Sequence, residues 1–206
     1  MSDYLNKTEE QQFEEAKSWF KQNGTPILVA VLIAAAAGFG WNYWQKHQLE
    51  TAQQTSAQYQ QMMESYLQNP EKNAPLADKF ISEHSNSNYA VFTQLEQAKQ
   101  LVAKGEFEAA RQYLTQALAA TGDATLQSVI RFRLAAVAYQ LNQFDEALEM
   151  LAPIKDQAWS LRKQVFSGDI LLAKGDKTAA RSAYEQAKAQ AQPQDQMLID
   201  IRLNNL

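Results

Sequence analysis

The sequence contains no cysteine and only two histidines, His47 and His84. Without thiols the chain has no disulfide, no thiolate metal site and no cysteine nucleophile. The two histidines are far apart in sequence and lack the spacing of a metal-binding motif. We therefore expect no cofactor, no metal and no catalytic residue, and the sequence predicts a protein that is not an enzyme.

The chain also lacks an excess of basic residues. Its 206 residues carry a net charge of −4, whereas a protein that binds nucleic acid needs positive charge to neutralise phosphates. We therefore expect no nucleic acid among its partners. With 46% hydrophobic and 20% charged residues, the composition is that of a folded chain, long enough for one domain with an appendage.

Charged residues are absent between Lys21 and Lys46. The apolar run 27–44 inside this gap would form about 27 Å of helix, close to the ~30 Å hydrocarbon core of a bilayer. Pro26 stands where a helix tolerates proline, at its start, and aromatic residues cluster at the far end of the run. The pattern predicts one transmembrane helix over residues 25–45.

Two other interpretations of this run remain open. One is a cleaved signal peptide, with Ala35 and Ala37 at the cleavage site, but the long acidic segment before the run is atypical of a signal peptide. The other is a buried helix of a soluble protein. This second interpretation is disfavoured because the run has no polar face and the rest of the chain offers no element of matching apolarity.

The orientation of the predicted span follows from its flanking lysines. Lys7, Lys17 and Lys21 precede it, whereas only Lys46 follows closely. Because basic residues favour the cytoplasmic side, residues 1–24 are predicted to be cytoplasmic. The C-terminal part would then lie across the membrane, which for the inner membrane of a bacterium means in the periplasm.

Small residues recur along the predicted span at Ala30, Ala34 and Gly38. A four-residue spacing of small side chains lets a second membrane helix approach closely. The functional interpretation is a packing face for a membrane partner. The alternative is that alanine and glycine are simply common in membrane helices, and the pattern does not decide between the two.

Glycine and proline are rare in the rest of the chain and separate helical segments. Residues 46–88 show a three- to four-residue apolar period and predict an amphipathic helix ending at Asn69-Pro70, then a short helix over Pro75–Glu83. No stretch alternates with a period of two, so we expect no β-sheet. The predicted fold class is all-α.

From residue 89 to residue 206 the chain repeats itself. Ala98, Ala135 and Gly168 occupy equivalent positions at intervals close to the ~34 residues of a tetratricopeptide repeat. We predict three pairs of antiparallel helices that cross where side chains are small, such as Ala98 and Ala110. The tight turns between them need glycine or asparagine, which can adopt a positive φ. An irregular helical bundle is the alternative.

Stacked repeats form a binding surface from their first helices, typically for peptide segments. The helical period predicts a protein-binding groove lined by Phe92, Leu95, Lys99, Phe132, Ala136, Tyr139, Arg162, Val165 and Asp169. The alternative for each residue is packing against the next repeat.

Several stretches taken together resemble a known family. They are WFKQNG at 19–24, WNYWQKHQ at 41–48, VIRFRLA at 129–135, LLAKGDK at 171–177 with ARSAY at 180–184, and NNL at 204–206. In order and spacing they resemble the YfgM-like proteins, ancillary subunits of the SecYEG translocon in Gram-negative bacteria. The resemblance covers nearly the whole chain.

The resemblance implies a single-pass protein of the inner membrane with a periplasmic C-terminal domain. It implies association with SecYEG, with the membrane-anchored periplasmic chaperone PpiD and with translocating polypeptides, which are passed on to periplasmic chaperones. It transfers no catalytic residues. A helical-repeat scaffold for another cell-envelope assembly is the alternative that the repeats alone allow.

Overall fold

A computed structural model describes residues 8–206. The chain divides into two units, Met1–Thr55 and Ser56–Leu206. The described residues form nine α-helices and a short 3₁₀ helix, with no strand among them, so the predicted all-α fold is confirmed. The α-helices are α1 (Glu9–Gln68), α2 (Pro70–Glu83), α3 (Asn88–Ala103), α4 (Phe107–Ala120), α5 (Ala124–Gln140), α6 (Phe144–Leu151), α7 (Ser160–Lys174), α8 (Lys177–Gln190) and α9 (Pro193–Asn204).

The described part of the first unit is helix α1 up to Thr55. The prediction that a helix starts at Pro26 is wrong, because α1 starts at Glu9 and continues through the proline. Residues 9–22 are mostly strong helix formers, and the helix continues through Pro26 although an interior proline removes one backbone hydrogen bond and crowds the preceding turn. α1 is long and apolar enough to cross a membrane, and its most apolar window is not buried. Lys7, used above for orientation, lies outside the described residues.

The second unit begins with the last part of α1, which ends at Gln68 as the Asn69-Pro70 signal predicts. The predicted start of the next helix at Pro75 is wrong, because α2 begins at Pro70. The Asn69 side chain accepts a hydrogen bond of 3.1 Å from the backbone N–H of Lys72. Pro70 occupies the first helical position. A backbone N–H at this position has no acceptor within the helix, so proline loses no hydrogen bond there. The start signal of α2 is therefore Asn69-Pro70, and Pro75 lies inside the helix.

Three helical hairpins, α3–α4, α5–α6 and α7–α8, follow α2 and confirm the predicted repeats. Each tight turn contains one residue with a positive φ, namely Gly105 (79°), Asn142 (59°) and Gly175 (93°). These are the turn residues that the sequence predicts. Glycine and asparagine adopt this conformation at low cost, and the helices can therefore reverse direction within a few residues.

Small residues lie buried where the helices of a hairpin cross. Ala98 and Ala110 belong to one core cluster with exposed fractions of 2% and 0%. Ala135 and Ala147 are equally buried in the second hairpin. Close helix crossing depends on such short side chains, and the larger residues fill the seams between hairpins.

Both ends of the repeat stack are covered by additional helices. Ile199 of α9 packs into the core cluster that contains Tyr184 of α8. At the other end, Met62, Tyr66 and Phe80 form a separate cluster between the end of α1 and α2. Such terminal helices shield the apolar faces that an open stack would expose.

Candidate functional site

Two adjacent cavities are lined mostly by the first helices of the three hairpins, together with residues of α4 and of the 3₁₀ helix before α7. The α3–α5 cavity has a volume of about 280 Å³ and an almost entirely apolar wall that includes Val102, Phe107 and Val137. The α5–α7 cavity has a volume of about 730 Å³. Arg133 and Ala136 of α5 line both cavities. The two cavities therefore adjoin along α5, and we call the combined depression the groove.

The structure brings most of the predicted contact residues into the groove. Six of the nine line it: Lys99 in the α3–α5 cavity, Phe132, Arg162, Val165 and Asp169 in the α5–α7 cavity, and Ala136 in both. These residues come from three helices that are distant in sequence, and the hairpin stacking alone places them side by side.

The other three predicted contact residues line neither cavity. Leu95 is only 7% exposed and belongs to the core of the first hairpin. Phe92 is exposed outside both cavities. The Tyr139 ring lies 5.9 Å from Phe144 and 6.0 Å from Phe166, between helices of successive hairpins. Leu95 and Tyr139 therefore pack against neighbouring residues, which is the alternative that the sequence left open for each predicted contact.

The groove includes further residues that were not predicted as contacts, among them Arg133, Trp159 and Phe166. On α5, Phe132 and Ala136 of the predicted face line the groove, and Arg133 extends this face on one side. The spacing of Val129, Arg133 and Ala136 was the available signal for it. The Trp159 ring lies 5.2 Å from the Phe132 ring, and Trp159 also lines the groove.

Two arginines of the groove interact with neutral groups. Arg133 Nη1 donates a hydrogen bond of 3.3 Å to the backbone carbonyl of Leu95. The Arg162 guanidinium lies over the Phe132 ring, 5.5 Å from its centroid, a favourable cation–π geometry. Within residues 8–206, neither guanidinium forms an ion pair. Among the described residues, no carboxylate therefore forms an ion pair with either positive charge.

The other two charged residues of the groove are neutralised locally. Asp169 Oδ1 accepts hydrogen bonds of 2.8 Å from Tyr184 Oη and of 2.8 Å from Arg202 Nε. Burial, with the hydrogen bond to Asp169, raises the pKa of Tyr184, and the bond to Asp169 raises the pKa of Arg202. Through these two bonds Asp169 joins α7, α8 and α9. Lys99 is neutralised separately, because its Nζ atom lies 3.0 Å from Oε1 of Glu96.

The histidines lie outside the groove. His84 packs its ring 4.6 Å from Phe80, and His47 stacks on Tyr43 at 6.3 Å. In the part of the chain that the structure describes, no group of three or more histidine, aspartate or glutamate residues is placed to hold a metal ion.

The small residues of the first unit are accessible. Ala30, Ala34 and Gly38 are all exposed on α1. A Cβ atom added to Gly38 would meet nothing within 4 Å, so this face has room for a neighbouring helix.

Comparison with known proteins agrees with the architecture. A family model described as "Tetratricopeptide repeat-like domain" matches residues 17–206. Three similar proteins are each named "Ancillary SecYEG translocon subunit". The protein of Aggregatibacter actinomycetemcomitans is 42% identical over 198 residues, covering 96% of this chain and 97% of the relative. That of Haemophilus influenzae is 40% identical with the same coverage, and that of Escherichia coli is 38% identical over 98% of both chains.

Proposed function

The chain belongs to the family of ancillary SecYEG translocon subunits, and from this premise we propose that it is a membrane-anchored accessory protein of the Sec translocon. Its repeat domain binds translocated polypeptides and helps transfer them to periplasmic chaperones. The observation that carries this proposal is the groove of the tetratricopeptide-like stack, which combines apolar cavities with accessible charged groups.

The proposed topology is a single pass through the inner membrane. Residues 1–24 lie in the cytoplasm, residues 25–45 cross the bilayer, and residues 46–206 lie in the periplasm. The lysines before the span support this orientation through the positive-inside rule. Protease added to spheroplasts should digest the C-terminal domain and leave the N-terminal segment protected, whereas digestion only after lysis would contradict the proposed orientation.

Anchoring makes weak binding effective. A domain tethered at the channel exit meets emerging chains at a high effective concentration, so each contact can stay weak and reversible. Reversibility is what transfer to the next protein requires. The periplasmic part of this proposed single-pass protein would consist of residues 46–88, which follow the span, and of the repeats at 89–206.

Site-specific photo-crosslinking tests the groove as the binding site. Ala136 is exposed and lines both cavities, so a photoreactive amino acid there should crosslink to chains arrested during translocation. Gln116 of α4 is also exposed but lies outside the groove, and it serves as the matched control position. Equal labelling from both positions, or none from Ala136, would reject the groove.

The partners proposed for this protein are SecYEG and the membrane-anchored chaperone PpiD. Binding to these partners requires no enzymatic activity of the chain. The alternative role is a scaffold for another cell-envelope assembly. Purification of the full-length protein in mild detergent separates the two. We expect SecYEG subunits and PpiD to co-purify, whereas a set of partners without translocon subunits would favour the scaffold.

A further inference from the structure

We propose that the groove selects acidic amphipathic segments, whose carboxylates pair with Arg133 and Arg162 while their apolar side chains occupy the two cavities. This inference rests on the proposed function of the groove as a protein-binding site and names the chemistry of its ligand.

The charge of the groove is opposite to that of the whole chain. The chain has a net charge of −4, yet the charged residues that line the groove are Lys99, Arg133, Arg162 and Asp169. Asp169 is compensated by Arg202 and Lys99 by Glu96. Two positive charges remain, and they attract carboxylates and repel basic segments.

Each of the two guanidiniums contacts one neighbouring group and keeps further N–H donors for a ligand. Arg133 donates one N–H to the backbone carbonyl of Leu95. The flat face of the Arg162 guanidinium lies over the Phe132 ring, which leaves its N–H groups at the edge. A guanidinium has five N–H donors in a planar fork that matches a carboxylate. Because both arginines are exposed, a carboxylate can reach their remaining donors without rearrangement of the helices.

The walls beside the arginines suit apolar side chains. Trp159 and Phe166 line the α5–α7 cavity, and Phe107 and Val137 line the α3–α5 cavity. Arg133 lies at the boundary of the two cavities. A segment that crosses this boundary therefore presents apolar groups on either side of a carboxylate, which is an amphipathic acidic sequence.

Trp159 provides a direct reporter of occupancy. The other tryptophans, Trp19, Trp41 and Trp44, all lie in the first unit. Full-length protein with these three replaced by phenylalanine, in non-ionic detergent, has Trp159 as its single tryptophan. Binding of a labelled peptide is then read both from Trp159 fluorescence and from peptide anisotropy.

Three short peptides with the same leucine and phenylalanine pattern separate charge from apolarity. One carries glutamates, the second carries glutamines and the third carries lysines at the same positions. We expect the glutamate peptide to bind about tenfold more tightly than the glutamine peptide, as expected for a charge-assisted hydrogen bond. The lysine peptide should bind weakest, and high salt should reduce the difference.

Single-residue variants assign the selectivity to the groove. Arg133→Gln and Arg162→Gln should each bring the affinity for the glutamate peptide close to that for the glutamine peptide. Arg181 of α8 is exposed and lies outside the groove, and Arg181→Gln removes the same charge as a matched control. Selectivity lost equally in all three variants would overturn the proposal, because the effect would then come from net charge.

The failure of this inference differs from the failure of the proposed function. Equal binding of the three peptides with a change in Trp159 fluorescence would disprove acidic selectivity and leave the groove as a binding site. If none of the peptides binds and crosslinking from Ala136 also fails, the groove is not a binding site and both proposals are wrong.

Discussion

Gly168 of α7 lies directly against the ring of Tyr184 of α8. A Cβ atom added to Gly168 would be 2.4 Å from Tyr184 Cε1. The ring cannot withdraw, because Tyr184 is completely buried and its hydroxyl is bonded to Asp169. Gly168 stands where the first two hairpins have Ala98 and Ala135, and the missing methyl group makes room for the tyrosine ring.

Gly168→Ala should therefore destabilise the protein. Overpacking of a filled core typically costs about 1–3 kcal/mol, and urea unfolding followed by Trp159 fluorescence measures it. Gly122→Ala is the matched control, since a Cβ there meets nothing within 4 Å, and its effect should stay within about 0.5 kcal/mol. In a Tyr184→Leu background, Gly168→Ala should lower the free energy of unfolding by a smaller amount. An equal loss in both backgrounds would show that the tyrosine ring does not cause the destabilisation.

Asn142 should tolerate glycine but not alanine. Its φ of 59° lies in the left-handed region, where a side chain with a Cβ and no local hydrogen bonding costs roughly 1–2 kcal/mol. Asn142→Gly should leave the midpoint of thermal unfolding near that of the parent, and Asn142→Ala should lower it. Asn86→Ala, in a turn without positive φ, is the control. Equal midpoints for the glycine and alanine variants would contradict this account.

Tyr113 should make stability fall at alkaline pH. Burial, together with the hydrogen bond of 2.9 Å donated to Asp78, raises the pKa of Tyr113 to about 12, above the ~10 of an exposed tyrosine. The folded state holds this proton more tightly than the unfolded chain, so the stabilisation is complete below pH ~10 and is lost as the pH rises through 12.

The free energy of unfolding of the parent should thus fall more steeply between pH 10 and 12 than that of Tyr113→Phe. The effect is modest because Tyr113 is partly exposed to solvent. Urea titrations at stepped pH measure both curves, and parallel curves would exclude Tyr113 as the source.

Asp169→Asn should loosen α9 rather than weaken peptide binding directly. Asp169 joins Tyr184 and Arg202, and hydrogen bonds to a charged partner are worth about 1.5–3 kcal/mol. Hydrogen exchange should increase in α9. Asp145 pairs with Lys174 and is 76% exposed, so Asp145→Asn should change stability by less than about 1 kcal/mol. Reduced peptide affinity with unchanged exchange would instead assign Asp169 to the ligand.

The small residues of α1 should matter for assembly and not for folding. We propose Ala30, Ala34 and Gly38 as the face that packs against a membrane partner. Ala34→Leu with Gly38→Leu should reduce co-purification with translocon subunits in mild detergent while the helical content stays constant, because large side chains prevent close helix approach. Ala36→Leu with Gly40→Leu changes the opposite face of α1. An equal loss from both pairs would contradict a specific face.

The groove shows where sequence reasoning reached its limit. A helical period identifies a face to within about one residue, or about 100° of rotation. On α5 the predicted face omitted Arg133, which lines the groove, and included Tyr139, which packs between hairpins. Which residues of a face remain accessible depends on the neighbouring helix, as Leu95 illustrates by lying in the core.

The sequence by itself determined the helices, their turns and the apolar segment. These depend on the local spacing of apolar residues and on Gly105, Asn142 and Gly175, which adopt a positive φ at the turns. Tertiary structure alone decided the site. Stacking places Arg133 and Arg162 beside neutral groups, and neither has an ion-pair partner in the described part of the chain. Asp169, in contrast, meets Arg202 from a helix more than thirty residues away. Which charges remain unpaired is a property of packing, and no local pattern encodes it.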